Sequence, residues 1–197
     1  MKLKKLTYLL VGFVILIILI ITISKRINFN SDYVVGQPID SLNSVFVYYN
    51  GSVSNVIGRN TSGDGYNLGL KYQCVEFVKR YYYQYLKHKM PDSYGDAKDF
   101  FDKDLKDGEL NFKRNLYQYS NPSKSKPLIN DLLIFNGTIF NIHGHVAIVS
   151  KVADDKIEII QQNPGPLKKS RELFSLKQKD GKWYIDNTRI VGWLRKK

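Results

Sequence analysis

His145–Gln161, HVAIVSKVADDKIEIIQ, is the stretch whose reading decides the fold. Two aliphatic runs, His145–Val152 and Lys156–Gln161, flank Asp154-Asp155, a pair suited to a tight turn, so the stretch reads as a hairpin. Working outward, Asp131–Phe135 (DLLIF), Lys182–Ile185 (KWYI) and Ile190–Leu194 (IVGWL) are further short extended runs, and Asp180-Gly181 supplies a second turn. Upstream of Pro127 the period changes. Gln73–His88 (QCVEFVKRYYYQYLKH) places Val75, Val78, Tyr82 and Tyr85 on one helical stripe, and a second helix is expected over Ala97–Leu105. The tyrosines of the first helix read as core, not as a sugar-stacking face. Val45–Tyr49 (VFVYY) reads as a first strand and Asn50–Gly69, rich in Gly, Asn and Ser, as a long loop without a phosphate-cradling motif. Helices followed by an antiparallel sheet describe an α+β domain.

Leu6–Ile23 (LTYLLVGFVILIILIITI) is nearly all apolar. Eighteen residues of helix are roughly 27 Å long, close to the hydrocarbon thickness of a bilayer. No polar face interrupts the run, and it ends in Ser24-Lys25-Arg26 with no small-residue cleavage pattern, so it reads as an uncleaved transmembrane anchor. Lys2, Lys4 and Lys5 with the free amine outweigh Lys25 and Arg26, which favours a cytoplasmic N-terminus, an extracytoplasmic domain and a single pass through the cell membrane. The expected division is an anchor over residues 1–26, a stem over 27–43 and one domain over 44–197.

The formal charge is +12, and residues 1–26 carry five of the basic residues and no acidic one. The remaining excess suits anionic partners such as cell-wall polymers, acidic peptides or lipid headgroups. The lysines are scattered and no recognition-helix, finger or stacking-sheet pattern occurs, so no nucleic-acid partner is expected. The single cysteine, Cys74, excludes an intramolecular disulfide and a structural zinc site of several thiolates.

Cys74 falls at the expected start of a helix, where unpaired backbone N–H groups and the positive end of the dipole favour a thiolate and can receive an oxyanion. His145 opens a strand after His143-Gly144, the glycine allowing a close approach, and a histidine there can take the proton of a thiol facing it. His143 and His145 could instead share a metal with Cys74, but no fourth ligand is evident, so a metal site is the weaker reading. His88 reads as an exposed residue at a helix end.

Tyr72-Gln73-Cys74-Val75-Glu76-Phe77, the following Lys79-Arg80, the later Gly144-His145-Val146-Ala147-Ile148, and Gly192-Trp193 together resemble the CHAP family of cysteine amidohydrolases and peptidases. Within it the sequence is most similar to the amidase domains of glutathionylspermidine synthetase/amidases, over roughly residues 45–195. The resemblance implies a papain-like α+β domain of helices packed on an antiparallel sheet. It implies Cys74 as nucleophile, His145 as base, and a third residue orienting the imidazole, with Gln73 and Asn163 at the substrate and with neither metal nor cofactor. The family's Glu-Gln-Asn stands here as Gln161-Gln162-Asn163, so the third position is the uncharged Gln161. An amide oxygen still accepts from an imidazole, but it stabilises the imidazolium less than a carboxylate would. Glu158, the nearest carboxylate in sequence, has the wrong strand parity to share a face with Gln161.

The resulting expectation is amide hydrolysis through an acyl-enzyme on Cys74. Its substrate is a peptidoglycan peptide or a glutathionylspermidine-like polyamine amide. The alternative is an inactive binding module at the cell envelope, for which Gln161 is the main argument.

Overall fold

The computed structural model describes residues 2–165 and 168–197. In chain order it runs α1 (Lys2–Ser24), β1 (Pro38–Leu42), β2 (Val45–Tyr48), β3 (Arg59–Thr61), β4 (Asn67–Leu70), α2 (Cys74–Gln84) and a 3₁₀ turn (Ala97–Phe100). The strands β5 (Leu110–Asn111), β6 (Leu116–Ser120), β7 (Leu132–Phe135) and β8 (His145–Val152) follow. The chain ends with β9 (Lys156–Ile160), β10 (Arg171–Lys179), β11 (Lys182–Ile185) and β12 (Ile190–Arg195). The main sheet has the strand order β11-β10-β9-β8-β7-β12-β6-β5, and its pairings are antiparallel. The fold is α+β, as the order of elements implies.

β7 and β8 lie at the centre and bury both faces. Val146 and Ile148 of β8, with Leu132 and Ile134 of β7, pack under Phe77, Val78, Tyr81 and Tyr82 of α2. The alternate residues Ala147, Val149, Leu133 and Phe135 face a second cluster with Trp193, Ile157, Ile159, Phe174 and Leu176. A strand period of two divides one sequence run between two cores.

α2 is shorter than its sequence period and buried nearly all round. It ends at Gln84, and Glu76, Lys79 and Arg80 are as enclosed as its apolar residues, whereas Tyr85 is exposed. Lys79 reaches the carbonyls of Asn67 and Ser93, and burial lowers its pKa to about 8. Part of the positive charge therefore lies inside the protein and not on its surface. His88 is not an exposed helix end: it is buried, edge-on to Tyr82, with Nε2 on the Arg114 carbonyl at 2.9 Å. The expected helix over Ala97–Leu105 is a single 3₁₀ turn with Asp96 and Asp99 forming a capping box. The stretch read as a stem contributes β1, paired with β2, and the long loop contains the β3–β4 hairpin. β10, the longest strand, was not expected, although Asp180-Gly181 is indeed its turn into β11.

Gly192 lets β12 cross β6 at close range. A Cβ there would lie 2.1 Å from the Tyr119 carbonyl oxygen and 2.6 Å from the Phe101 ring. Neither backbone nor ring has room to yield, so Gly192→Ala is expected to lose at least the upper end of the roughly 1–3 kcal/mol typical of overpacking. A denaturant midpoint unchanged from the parent would contradict that expectation.

α1 is a continuous apolar helix. Its Lys4–Ser24 segment, of mean hydropathy 3.0, is long and apolar enough to cross a membrane. Its C-terminal end touches the domain: Ser54 N–H donates to the Lys25 carbonyl at 3.1 Å.

Candidate active site

Cys74 is the first residue of α2, and the residue before it, Gln73, does not cap the helix with its side chain. The backbone N–H groups at this helix start are left without intrahelical acceptors. The sulfur lies at the head of β8, where the N–H groups of Val146, Val75 and Cys74 itself act on it. These hydrogen bonds favour the thiolate, but burial outweighs them and pushes the Cys74 pKa up to about 11. The helix start alone therefore does not produce a resident thiolate.

His145 begins β8, and the preceding Gly144 has φ +74°, with room for no side chain: a Cβ would stand 2.6 Å from the Phe135 carbonyl oxygen. The ring is 8% exposed and packs near Phe135. Burial lowers its pKa to about 4, with Gln161 pulling in the opposite direction. Cys74 and His145 line one cleft of about 700 Å³, together with Asn163, Asp96, Tyr94 and Phe140. Among the described residues no hydrogen bond joins the sulfur to the imidazole, a contact that commonly tightens only with substrate present.

Gln161 follows β9 directly and meets His145, Oε1 to Nε2, at 3.0 Å. Its NH₂ group donates to the Lys169 carbonyl and to Glu172 Oε2, each at 3.2 Å. Both of those partners only accept, so the amide oxygen is the end that faces histidine. An amide oxygen only accepts in turn, which puts the imidazole hydrogen on Nε2 and leaves the lone pair on Nδ1.

The three consecutive amides have three different tasks. Gln161 holds the histidine. Gln162, fully buried, donates to the Gln73 carbonyl and Glu76 Oε2 and accepts from Tyr48 N–H. Asn163 Nδ2 donates to Val53 O and to Gln73 Oε1, at 2.8 and 2.7 Å. Gln73 Nε2 is directed to Val53 O and Asn55 O. Gln73 and Asn163 thus lie on the cleft wall, with their side-chain amides engaged by one another and by the 53–55 loop.

His143 turns away from His145: its Nδ1 meets Asp96 Oδ2 at 2.8 Å. Among the described residues, no three His, Cys, Asp or Glu side chains gather as ligands for a metal ion. Glu158 is held by Ser150 and Arg171, away from the histidine. The carboxylate that meets Gln161 is Glu172, on β10. Two sequence signals pointed to it: buried Phe174 and Leu176 at strand period, and the Asp180-Gly181 turn, which needs a strand on each side.

A family model described as "CHAP domain" matches residues 62–163, which include Cys74, His145 and Gln161. The "Trypanothione synthetase" of Crithidia fasciculata is 30% identical over 131 residues, covering 65% of this chain and 20% of that protein. The chain thus spans about a fifth of the length of that relative. A solved structure, "The crystal structure of Ly7917", is 24% identical, with a TM-score of 0.26, over 38% of this chain and 30% of its own.

Proposed function

Because this chain belongs to the CHAP domain family, whose members are generally hydrolytic amidases and peptidases, we propose that it is a membrane-anchored cysteine amidohydrolase acting through Cys74. The observation that carries this reading is the cleft shared by Cys74 and His145, with the imidazole tautomer set by Gln161.

With both groups uncharged at neutral pH, the proton moves as attack occurs. Nδ1 of His145 takes the Sγ hydrogen while sulfur forms a bond to the amide carbonyl carbon. The carbonyl electron pair passes to oxygen, where the free N–H groups at the start of α2 receive it. Collapse breaks the C–N bond, and the amine leaves with the proton from the imidazolium. Water then attacks the thioester and gives its proton to Nδ1. The second collapse releases a carboxylic acid and returns that proton to the sulfur.

The substrate class we propose is a peptide amide of the cell envelope, with peptidoglycan peptides first and a polyamine amide second. Lys25, just past α1, lines the same cleft. A bilayer-inserted α1 would hold the cleft at headgroup height, within reach of membrane-attached or wall-attached peptides. The relative's name mentions trypanothione, which keeps the polyamine amide in view.

The test uses the sole cysteine. Alkylation of Cys74 by iodoacetamide is expected to show a plateau over the window in which imidazole and thiol are both neutral, between about pH 4 and about 11. In His145→Ala the rate should instead climb about tenfold per pH unit, following the rare thiolate. The same protein and its Cys74→Ala form, incubated with peptidoglycan and with glutathionylspermidine, identify the amine released. A parent profile that climbs like that of His145→Ala, with no amine released, would favour a binding module, the reading that the raised Cys74 pKa and the uncharged Gln161 support.

A further inference from the structure

Gln161 would orient His145 correctly only if its own amide is kept from turning over. A flipped amide would offer N–H to the imidazole, force Nε2 to be the acceptor and move the ring hydrogen to Nδ1. That tautomer cannot take a proton from Cys74. Two acceptors prevent the flip: the Lys169 carbonyl and Glu172 Oε2, each 3.2 Å from Gln161 Nε2. Register places Glu172 on β10 opposite Ile159 of β9, two residues before Gln161.

We propose that Glu172 is a positioning residue of this site: it fixes the Gln161 amide and supplies, from one strand further out, the negative charge that position 161 lacks. The inference rests on the catalytic reading of Cys74 and His145 given above. The chain runs His145 Nε2–H to Gln161 Oε1, then Gln161 Nε2–H to Glu172. When His145 becomes an imidazolium, the carboxylate polarises the amide so that Oε1 accepts more strongly.

Other charges face the same chain. Lys168 Nζ lies 3.1 Å from both Glu172 oxygens. Lys168 and Arg189 disfavour the imidazolium, and Glu172 favours it. On the cleft side, Asp96 acts on Cys74 and binds His143. Lys168 therefore tempers Glu172, and removing either one shifts His145 in opposite senses.

That opposition gives the test. In the full chain, Cys74 alkylation by iodoacetamide is followed against pH for Glu172→Gln, Glu172→Leu and Lys168→Met. Glu172→Leu is expected to lower the plateau on the order of tenfold, as loss of an outer partner to a working histidine commonly does. Glu172→Gln keeps an acceptor and loses less, and in both variants the acid limb moves to lower pH. Lys168→Met should raise the plateau and move the limb to higher pH. Gln161→Glu alone brings two carboxylates together and should be slow, whereas Gln161→Glu with Glu172→Gln should recover. A purely structural Glu172 would produce losses of one sign with a fixed limb, and that result overturns the proposal. So would unchanged profiles in all three variants while His145→Ala abolishes the plateau. If His145→Ala itself changes nothing, it is the catalytic reading that falls. Should Glu172→Leu fail to fold, Glu172→Gln and Lys168→Met decide.

Discussion

His145→Ala is expected to slow amide hydrolysis by roughly 10³-fold, the middle of the range for losing a general acid–base group. The size of the effect follows from the state of the nucleophile. Burial pushes the Cys74 thiol up to about 11 and holds His145 down to about 4. At neutral pH the sulfur is therefore protonated and becomes a competent nucleophile only as its proton leaves. On the proposed reading the neutral His145 imidazole takes it, with Nε2 held on Gln161 and the Nδ1 lone pair left to receive the proton. The measurement is kcat/KM for amine release with melting followed in parallel, so that lost structure and lost chemistry are separated. A loss below about threefold would remove His145 from the mechanism.

The same burial has a consequence for stability. The unfolded chain takes up a proton on His145 near its ordinary value of 6.5, and the native state only near 4. Between those values the unfolded state binds more protons, so this residue makes the protein less stable as the pH falls through that window. His145→Ala should flatten that part of the profile.

Glu76→Ala is expected to be the most damaging single change to the fold, by about 3–5 kcal/mol, a large share of the stability of a typical domain. Glu76 is 1% exposed and bonds Arg80 Nε at 2.6 Å, Asn60 Nδ2 at 2.7 Å and Gln162 Nε2 at 2.9 Å. Its removal strands the buried Arg80 guanidinium, which among the described residues keeps a hydrogen bond to the Phe46 carbonyl at 2.8 Å and its place over the Tyr48 and Phe77 rings but no carboxylate. It also removes one of the two acceptors of the Gln162 amide, leaving the Gln73 carbonyl, and so weakens the tie between the start of α2 and the strand end that presents Gln161. Chemical denaturation measures the loss. The double variant Glu76→Leu with Arg80→Met should recover part of it, because no unpaired charge then remains buried. A Glu76→Ala midpoint within about 1 kcal/mol of the parent would show that the pair is dispensable.

Particular residues show how far the sequence reached. His145–Val152 and Lys182–Ile185 lie where their runs of strand formers ended, because turn residues bound them on the sheet side. Arg171–Lys179 is not legible as a strand because Phe174 and Leu176 share their face with the polar Glu172 and Gln178, and the other face mixes Arg171, Ser175, Lys177 and Lys179 with an exposed Leu173. The extent of α2 is not legible in the sequence: Tyr85 and Leu86 continue an apolar period although the chain leaves the helix there, and no local signal marks that exit. The burial of His88 is not legible either, because nothing near it in sequence announces Tyr82 and the Arg114 carbonyl as its surroundings.

By itself the sequence determined the apolar helix and the α+β order, and it placed a cysteine at a helix start and a histidine at a strand start. These follow from periodicity, turn residues and motif spacing, which are local properties of the chain. Only the tertiary structure decided the protonation states of Cys74 and His145, because desolvation depends on what the whole fold packs around them. It also decided the tasks of the three amides: Gln161, Gln162 and Asn163 adjoin in sequence but find partners on β8 and β10, on α2 and β2, and in the 53–55 loop. Glu172 reaches Gln161 across a strand register, and register is set by the pairing of β9 with β10.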